Sequence, residues 1–426
     1  MKTWVCGHRN PDVDSVMSAY ALADLRRRTG TEDVEAICAG RLPERAKWVF
    51  DHFGLKPLRA KRDVYVRVRD LMDVDVPAID ADLPLVDALR LLEKCGQSSL
   101  PVRDRDGRFV GMLRPAKLLS LFIAKSDLTM PVGEVALHQT QPLVESDRVH
   151  DIRMSAIRNS HNHFPVVDES GRLLGTVLKR AFAEEPPYRM ILVDHNETEQ
   201  GIPGVDELPV VEVVDHHRIA FAATKDPIKY TADVVGSTCT LVARMYRGAG
   251  ERPTKEIAGA LIAGIVSDTL LFQSPTTTET DRQMSAWLEK LCGETAASIM
   301  EGLLSVSSPL TSMSAEQALA IDAKAYSEGG RKFVLAQIEE SNLTLFHRKA
   351  DELAAAMERT VRASGLDFMA LMVTDPAGGN SELLFRGSEA VRRALPYRRS
   401  ERGTLLMPGV VSRKKQLLPE ILAALA

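Results

Sequence analysis

The feature that most restricts the fold of this chain is a repeat in its first half. Leu100-Pro101-Val102, Gly107 and Gly111 recur as Phe164-Pro165-Val166, Gly171 and Gly175, each Pro, Val and Gly returning 64 residues later, and the same offset pairs Asp87 with Asp151. Two copies of one small unit are expected to fold alike. Each copy predicts a short helix (85–95; 149–159), a strand entered at Pro-Val, a polar turn (104–107; 168–171) and a second strand (109–113; 173–178).

The repeat interrupts a chain that otherwise alternates strands and helices. With 426 residues there is room for about three domains. Residues 2–6 predict a strand, and residues 15–28 a helix with Val16, Tyr20 and Ala23 at helical spacing. The apolar runs 190–193 and 210–214 have the β-branched character of a parallel sheet covered on both faces. Residues 280–305 are helical in pattern, and the breakers Ser307, Ser308 and Pro309 mark a boundary and a hinge. Beyond it, strands at 332–337 and 368–374 with a helix at 345–363 predict a smaller α/β domain.

Charge and composition remove several function classes. Hydrophobic residues make 45% of the chain and charged residues 26%, the balance of a globular protein. Lys and Arg number 54 against 58 Asp and Glu, a net −4, so no global positive field exists to hold nucleic acid or an anionic membrane. Aromatics at 5% offer little for base stacking. The most apolar stretch, 257–266, meets Ser267 and Asp268 well short of the roughly 20 residues that span a bilayer, so a buried helix is expected. The start of the chain lacks the apolar core of a signal peptide, and Cys6, Cys38, Cys95, Cys239 and Cys292 show neither disulfide nor zinc spacing. A cytoplasmic protein is expected.

Chemistry concentrates where the predicted strands end. The first strand runs into Gly7-His8-Arg9-Asn10-Pro11-Asp12-Val13-Asp14-Ser15, the next into Asp194-His195-Asn196-Glu197, the third into Asp215-His216-His217, and the helix from Lys255 into Ser267-Asp268-Thr269. In open α/β sheets the strand carboxyl ends line the ligand crevice, so these segments are expected to converge. Carboxylates brought together repel one another unless a cation neutralises them. Imidazole and carboxylate donors without cysteine suit Mn²⁺ or Co²⁺ better than Mg²⁺. The set exceeds the needs of one ion, and two ions sharing a carboxylate suit in-line displacement at phosphorus. Singly, an Asp-x-Asp after a strand is more often a helix cap and a His-His pair is usually surface; four such signals at strand or helix ends favour a metal site.

These motifs resemble the DHH phosphoesterases. Asp194-His195-Asn196-Glu197 and Ser412-Arg413-Lys414-Lys415-Gln416 resemble, within that superfamily, the family II, manganese-dependent inorganic pyrophosphatases, and the repeat resembles a tandem pair of CBS domains, as in the subfamily that carries such a pair inside its DHH domain. The resemblance implies an α/β fold: a DHH-type doubly wound, mainly parallel sheet interrupted by the CBS pair and followed by a smaller DHHA2-like domain. The expected boundaries are 1–66 and 186–306 for the DHH domain, 67–125 and 126–185 for the CBS units, and 307–426 for the C-terminal substrate-binding domain.

The resemblance also implies roles. His8, Asp12 and Asp194 would hold one Mn²⁺ or Co²⁺, and Asp14, His216 and Asp268 the second, with Asp194 bridging. Asp194 and His217 would be catalytic, His217 also facing pyrophosphate, while Asp215 would sit behind it. Lys324, Arg413 and Lys414 match the family's substrate-binding cations, and Gly409-Val410-Val411 before them suggests a strand end. The activity implied is hydrolysis of pyrophosphate to two phosphates by a hydroxide activated by two metals, with additional Mg²⁺ arriving with substrate, in a homodimer. The CBS pair implies regulation by AMP, ADP or ATP, with Arg114, Lys117, Lys179 and Arg180 as phosphate contacts. The family's nucleotide signature of Ser or Thr followed by Asp is absent from 111–117 and 175–181. Rival readings are a DHH phosphoesterase for short oligonucleotides or cyclic dinucleotides, against which the C-terminal motif counts, and a non-catalytic CBS nucleotide sensor, against which the complete metal set counts.

Overall fold

Apolar runs rich in Val and Ile, with no polar alternation, pair best where helices cover both faces of a sheet. The computed structural model, which describes all residues except 32, 115–122, 124–126, 137–139, 221–222, 307–309, 311–312, 341–342, 377 and 426, builds such a sheet first. Its strands are β1 (Lys2–Cys6), β2 (Val34–Ala39), β3 (Arg59–Lys61), β4 (Tyr188–Val193), β5 (Val210–Asp215) and β6 (Lys229–Ala232). They lie in the order β3-β2-β1-β4-β5-β6, and the β1/β2, β2/β3, β4/β5 and β5/β6 pairs are parallel. The direction of winding reverses between β1 and β4, which opens a crevice at their carboxyl ends.

Six helices belong to this sheet: α1 (Val13–Arg28), α2 (Glu44–His52), α3 (Thr238–Gly248), α4 (Lys255–Thr269), α5 (Glu279–Cys292) and α6 (Ala296–Ser305). The expected buried helix is α4, in which every residue from Ile257 to Val266 is buried. Gly259 and Gly264 let it approach its neighbours: a Cβ on Gly259 would stand 2.3 Å from the Phe53 ring, and one on Gly264 2.3 Å from Cys239 Sγ. The predicted helical run 280–305 is two helices, because Gly293 at φ +80° closes α5 and Thr295 caps α6.

Between β3 and β4 the chain forms a separate compact unit of Asp63–Arg189 together with Pro203–Pro209. Its two halves have one topology. A short strand (Ile79–Asp80; Leu143–Val144), a helix (Leu85–Cys95; Val149–Arg158) and two strands (Leu100–Arg103, Phe109–Leu113; His163–Val167, Leu173–Leu178) form a three-stranded sheet in each, parallel then antiparallel. Asp104 and Asp168 accept backbone N–H bonds inside the matching turns, and Gly107 and Gly171 take φ of +80° and +84°. The turns also join the halves, Phe109 N donating to Gly171 O and Leu173 N to Gly107 O. This is the β-α-β-β repeat expected from the sequence.

The C-terminal part contains α7 (Ala315–Ala320), β7 (Ala323–Glu328), β8 (Arg331–Glu339), α8 (Thr344–Ser364), β9 (Phe368–Asp375), β10 (Asn380–Gly387), α9 (Glu389–Ala394), β11 (Arg398–Arg399), β12 (Leu405–Pro408) and α10 (Leu418–Leu425). The sheet order is β7-β8-β9-β10-β12-β11, with only β8/β9 parallel. Strand alternation divides its core: Met369, Leu371 and Val373 pack with α7 and α8, and Phe368, Ala370 and Met372 with Val391 and Ile421. The antiparallel strands at 380–387 and 405–408 were not among the expected elements. The expected strand end at Arg413 is instead a helical turn, Arg413–Leu417, leading into α10, because Ser412 Oγ accepts from Lys415 N and Gln416 Oε1 accepts from Val411 N and Ser412 N. The hinge expected at Ser307–Pro309 lies outside the described residues. Among the described residues no helix is long and apolar enough to cross a membrane.

The close contact at Gly259 yields a direct test of this packing. Gly259→Ala should lower stability by about 1–3 kcal/mol through overpacking against Phe53, measured as a reduced urea midpoint with the slope unchanged. A wild-type midpoint would mean that α2 and α4 are less tightly apposed than described.

Candidate metal centre

The crevice between β1 and β4 gathers the predicted donors. The loop after β1 carries His8, and Asp12 caps α1 by accepting from Ser15 N at 2.9 Å. Asp14 lies in the first turn of α1, fully buried. Asp194 ends β4 with φ +61°, a left-handed backbone that a non-glycine residue adopts at a cost of roughly 1–3 kcal/mol and that clusters at functional sites. Its N–H still donates to Val214 O at 3.0 Å, so the strain turns the side chain without leaving the sheet.

Asp194 is the common member. Its Oδ2 lies 3.4 Å from His8 Nε2, which is 3.5 Å from Asp12 Oδ2. Its Oδ1 lies 3.5 Å from His216 Nε2, which is 3.6 Å from Asp268 Oδ2. Two donor groups result, His8/Asp12/Asp194 and Asp14/Asp194/His216/Asp268, each with its ligand atoms within 4.8 Å of one another. A third, Asp194/His216/His217, overlaps the second.

Electrostatics show what the site lacks. Burial disfavours charge on His8, but the Asp12 and Asp194 carboxylates outweigh it and push the imidazole up to about 10; His216, likewise buried but facing Asp194 and Asp14, rises to about 9. Burial and the Asp194 charge push Asp14 up to about 7, and burial with the charges of Asp14, Asp12 and Asp194 raises Asp268 well above the carboxylate range. Asp194 is held well below that range, since the neighbouring imidazoles of His216 and His8 overcome its burial. His216 Nδ1 lies 3.0 Å from Val235 O, and its buried Nε2, aimed at Asp194 and Asp268, has no hydrogen-bond partner among the described residues. A divalent cation fits this arrangement: it satisfies that nitrogen, neutralises the crowded carboxylates and finds only nitrogen and oxygen donors.

Other predicted residues take distinct places. His217 is half exposed, with Nδ1 2.9 Å from Asp215 Oδ1, and that bond raises its pKa. Asp215 is fully buried behind it and stands outside the donor groups. Lys324 and Lys414 are exposed. Arg413 is buried, its guanidinium donating to Asp322 O, Asp322 Oδ1 and Leu335 O. In the inserted unit Arg114 lies within 2.7 Å of the His161 ring nitrogens, Lys179 donates to Asn159 O and Arg180 is exposed, with no contact joining the three. Lys117 lies outside the described residues.

Sequence reasoning missed the residues that hold these ligands. Ser237 Oγ and Cys239 N donate to Asp14 Oδ1, Thr238 N to Asp14 Oδ2, and Thr238 Oγ1 to Asp194 Oδ1. Asn196 donates to Asp215 Oδ2 at 2.5 Å and to Arg218 O. His195 Nδ1 lies 2.8 Å from Val193 O, its ring edge-on to His8. His195 and Asn196 stand within the Asp194-His195-Asn196-Glu197 motif without a role, and the signal for Ser237 and Thr238 is a Ser-Thr pair at the start of a helical pattern, which reads equally well as an ordinary cap.

Fold and cluster together define a metal-binding protein built on a doubly wound sheet. The sequence model of the DHH family N-terminal domain matches residues 2–265, and that of the DHHA2 domain residues 301–424. A manganese-dependent inorganic pyrophosphatase of Bacillus subtilis is 36% identical over 56% of this chain and 77% of its own length. A cobalt-dependent inorganic pyrophosphatase of Clostridium perfringens is 23% identical over 98% of this chain and 97% of its own length. A Methanococcus jannaschii structure described as a candidate family II inorganic pyrophosphatase covers 99% of both chains at 20% identity with a TM-score of 0.50, a likeness of fold. This chain belongs to the DHH family and, within it, to the manganese-dependent inorganic pyrophosphatases.

Raised histidine pKa values make metal uptake pH-dependent. Without metal, His8 and His216 keep protons up to about 10 and 9, so the stability they contribute is full below their ordinary value of 6.5 and is lost as the pH rises through 9 to 10. Metal must displace those protons. Calorimetric Mn²⁺ titration at pH 7.5 in buffers of differing ionisation enthalpy should show proton release, with affinity rising towards pH 9; proton uptake, or affinity that falls with pH, would contradict the ligand assignment.

Proposed function

We propose that this protein hydrolyses inorganic pyrophosphate to two phosphates at a site for two divalent cations, Mn²⁺ or Co²⁺. The observation that carries the reading is the Asp194 carboxylate, one oxygen turned to His8 and the other to His216. His8 and Asp12 would complete one site, and Asp14, His216 and Asp268 the other. When bound, such a pair supplies Lewis-acid polarisation of phosphoryl oxygens and lowers the proton affinity of the attacking water.

The chain's own groups do the remaining work. His217, tied through Nδ1 to Asp215, keeps Nε2 to donate a proton to the leaving phosphate, and the Asp215 bond favours the protonated ring that this role needs. Asn196 locks Asp215 in place from behind. Pyrophosphate offers no base or sugar to recognise, so selectivity falls to cations placed to match it. Lys324 and Lys414 are exposed and close in the chain to Asp322 and Arg413, and Arg413 would join them when phosphate replaces the Asp322 carboxylate on its guanidinium.

Phosphate release from pyrophosphate, with and without Mn²⁺ and chelator, tests the activity. Asp194→Asn should reduce it far more than Asp215→Asn, because a weakened bridge loosens both ions while Asp215 acts through His217. Equal tolerance of both substitutions, or full activity after exhaustive chelation, would refute the two-metal assignment.

The inserted pair is read as a regulatory site for AMP, ADP or ATP. Arg114 supports this, since its buried Nη2 has no hydrogen-bond partner among the described residues. A ligand there can bias hydrolysis only by preferring one of two states of the protein. Replacing 69–182 with a short linker should therefore keep pyrophosphate hydrolysis and abolish any response to adenine nucleotides; a nucleotide response that survives the excision would place the regulatory site elsewhere.

A further inference from the structure

A bridging carboxylate has to face two ways at once, and its torsion decides whether it does. Asp194 Oδ1 and Oδ2 face different histidines, yet nothing in a carboxylate's own chemistry holds that orientation. Histidines apart, the hydrogen bond that reaches it among the described residues comes from Thr238, whose Oγ1 lies 2.9 Å from Oδ1. Thr238 is fully buried at the start of α3. Its backbone is fixed independently of that hydroxyl: its N–H donates to Asp14 Oδ2 at 2.6 Å, and nearby Gly236 N and Thr240 Oγ1 donate to the buried Asp281 carboxylate. The hydroxyl is therefore free to act as a gauge for the Asp194 torsion.

We propose that Thr238 is a positioning residue that turns Asp194 into a bridging ligand and thereby sets the affinity of the cation on the His216 side. The proposal rests on the two-metal reading given above. Oδ1 is the oxygen that faces His216, so loss of the Thr238 bond releases that half of the bridge, while Oδ2 keeps its approach to His8 and Asp12. A hydroxyl that donates to one ligand oxygen also leaves that oxygen's second lone pair directed at the metal, the usual division of labour between a ligand and its hydrogen-bonded support.

Thr238→Val removes the hydroxyl and keeps the shape; Thr238→Ser keeps the hydroxyl. Mn²⁺ titration of the full chain by calorimetry, with stoichiometry from elemental analysis, should show two ions per wild-type chain. In Thr238→Val one ion should bind as before and the other roughly 10- to 100-fold more weakly. kcat should recover at saturating Mn²⁺ with KM for pyrophosphate unchanged, and Thr238→Ser should restore the weakened site. If Thr238→Val does not fold, Thr238→Ala removes the same donor and is judged by the same two constants. Wild-type affinity at both sites would overturn the proposal, as would loss of both ions together, which marks a structural role. A single ion per wild-type chain would overturn the two-metal reading itself, whatever the variants do.

Discussion

Everything at the sheet's carboxyl end answers to the mutual repulsion of Asp14, Asp194 and Asp268. Near a protein surface two like charges about 4 Å apart repel by roughly 4 kcal/mol, and Asp12 adds a fourth negative group at the rim. The protein meets this load with two imidazoles that burial alone would discharge but that the carboxylates keep protonated. Protons on His8 and His216 and a cation at their nitrogens are alternative solutions to one electrostatic problem.

The fold assists at the backbone level. The first turn of α3 turns its free N–H groups and two hydroxyls on Asp14 and Asp194, so a helix N-terminus with its partial positive charge stands behind the crowded carboxylates. Asp281, wholly buried and hydrogen-bonded to Gly236, Thr240 and Thr278, anchors the segment that leads into that turn. Left-handed backbone at Asp194, and again at Leu270, Leu271 and Phe272 just beyond Asp268, is the local cost of bringing two carboxylates to one point.

The inserted repeat and the C-terminal sheet are each built around small apolar cores of their own. The inserted repeat forms its own compact unit, with two small apolar cores centred on Leu85, Val102 and Leu113 and on Phe164, Val166 and Val177. The C-terminal sheet belongs to the same compact unit as the DHH sheet, and an Arg45–Glu339 ion pair at 2.9 Å connects α2 to the end of β8.

Much of this was legible in the amino-acid sequence because it depends on short-range pattern. The register of the repeat follows from Pro-Val and Asp-x-x-Gly at one offset, the parallel strands from β-branched runs, and the donors from motifs that end those runs, since strand direction alone sends each to the same edge. Side-chain torsions and long-range partners are not encoded locally, and there the structure decided. Arg413–Leu417 is a helical turn because Ser412 and Gln416 satisfy its backbone, against the strand character of Gly409-Val410-Val411. Arg413 is occupied by Asp322, 91 residues away. Sequence alone determined which groups would meet; only the tertiary structure determined how Asp194 is turned between His8 and His216, because the hydroxyl that turns it arrives from a helix 44 residues further along the chain.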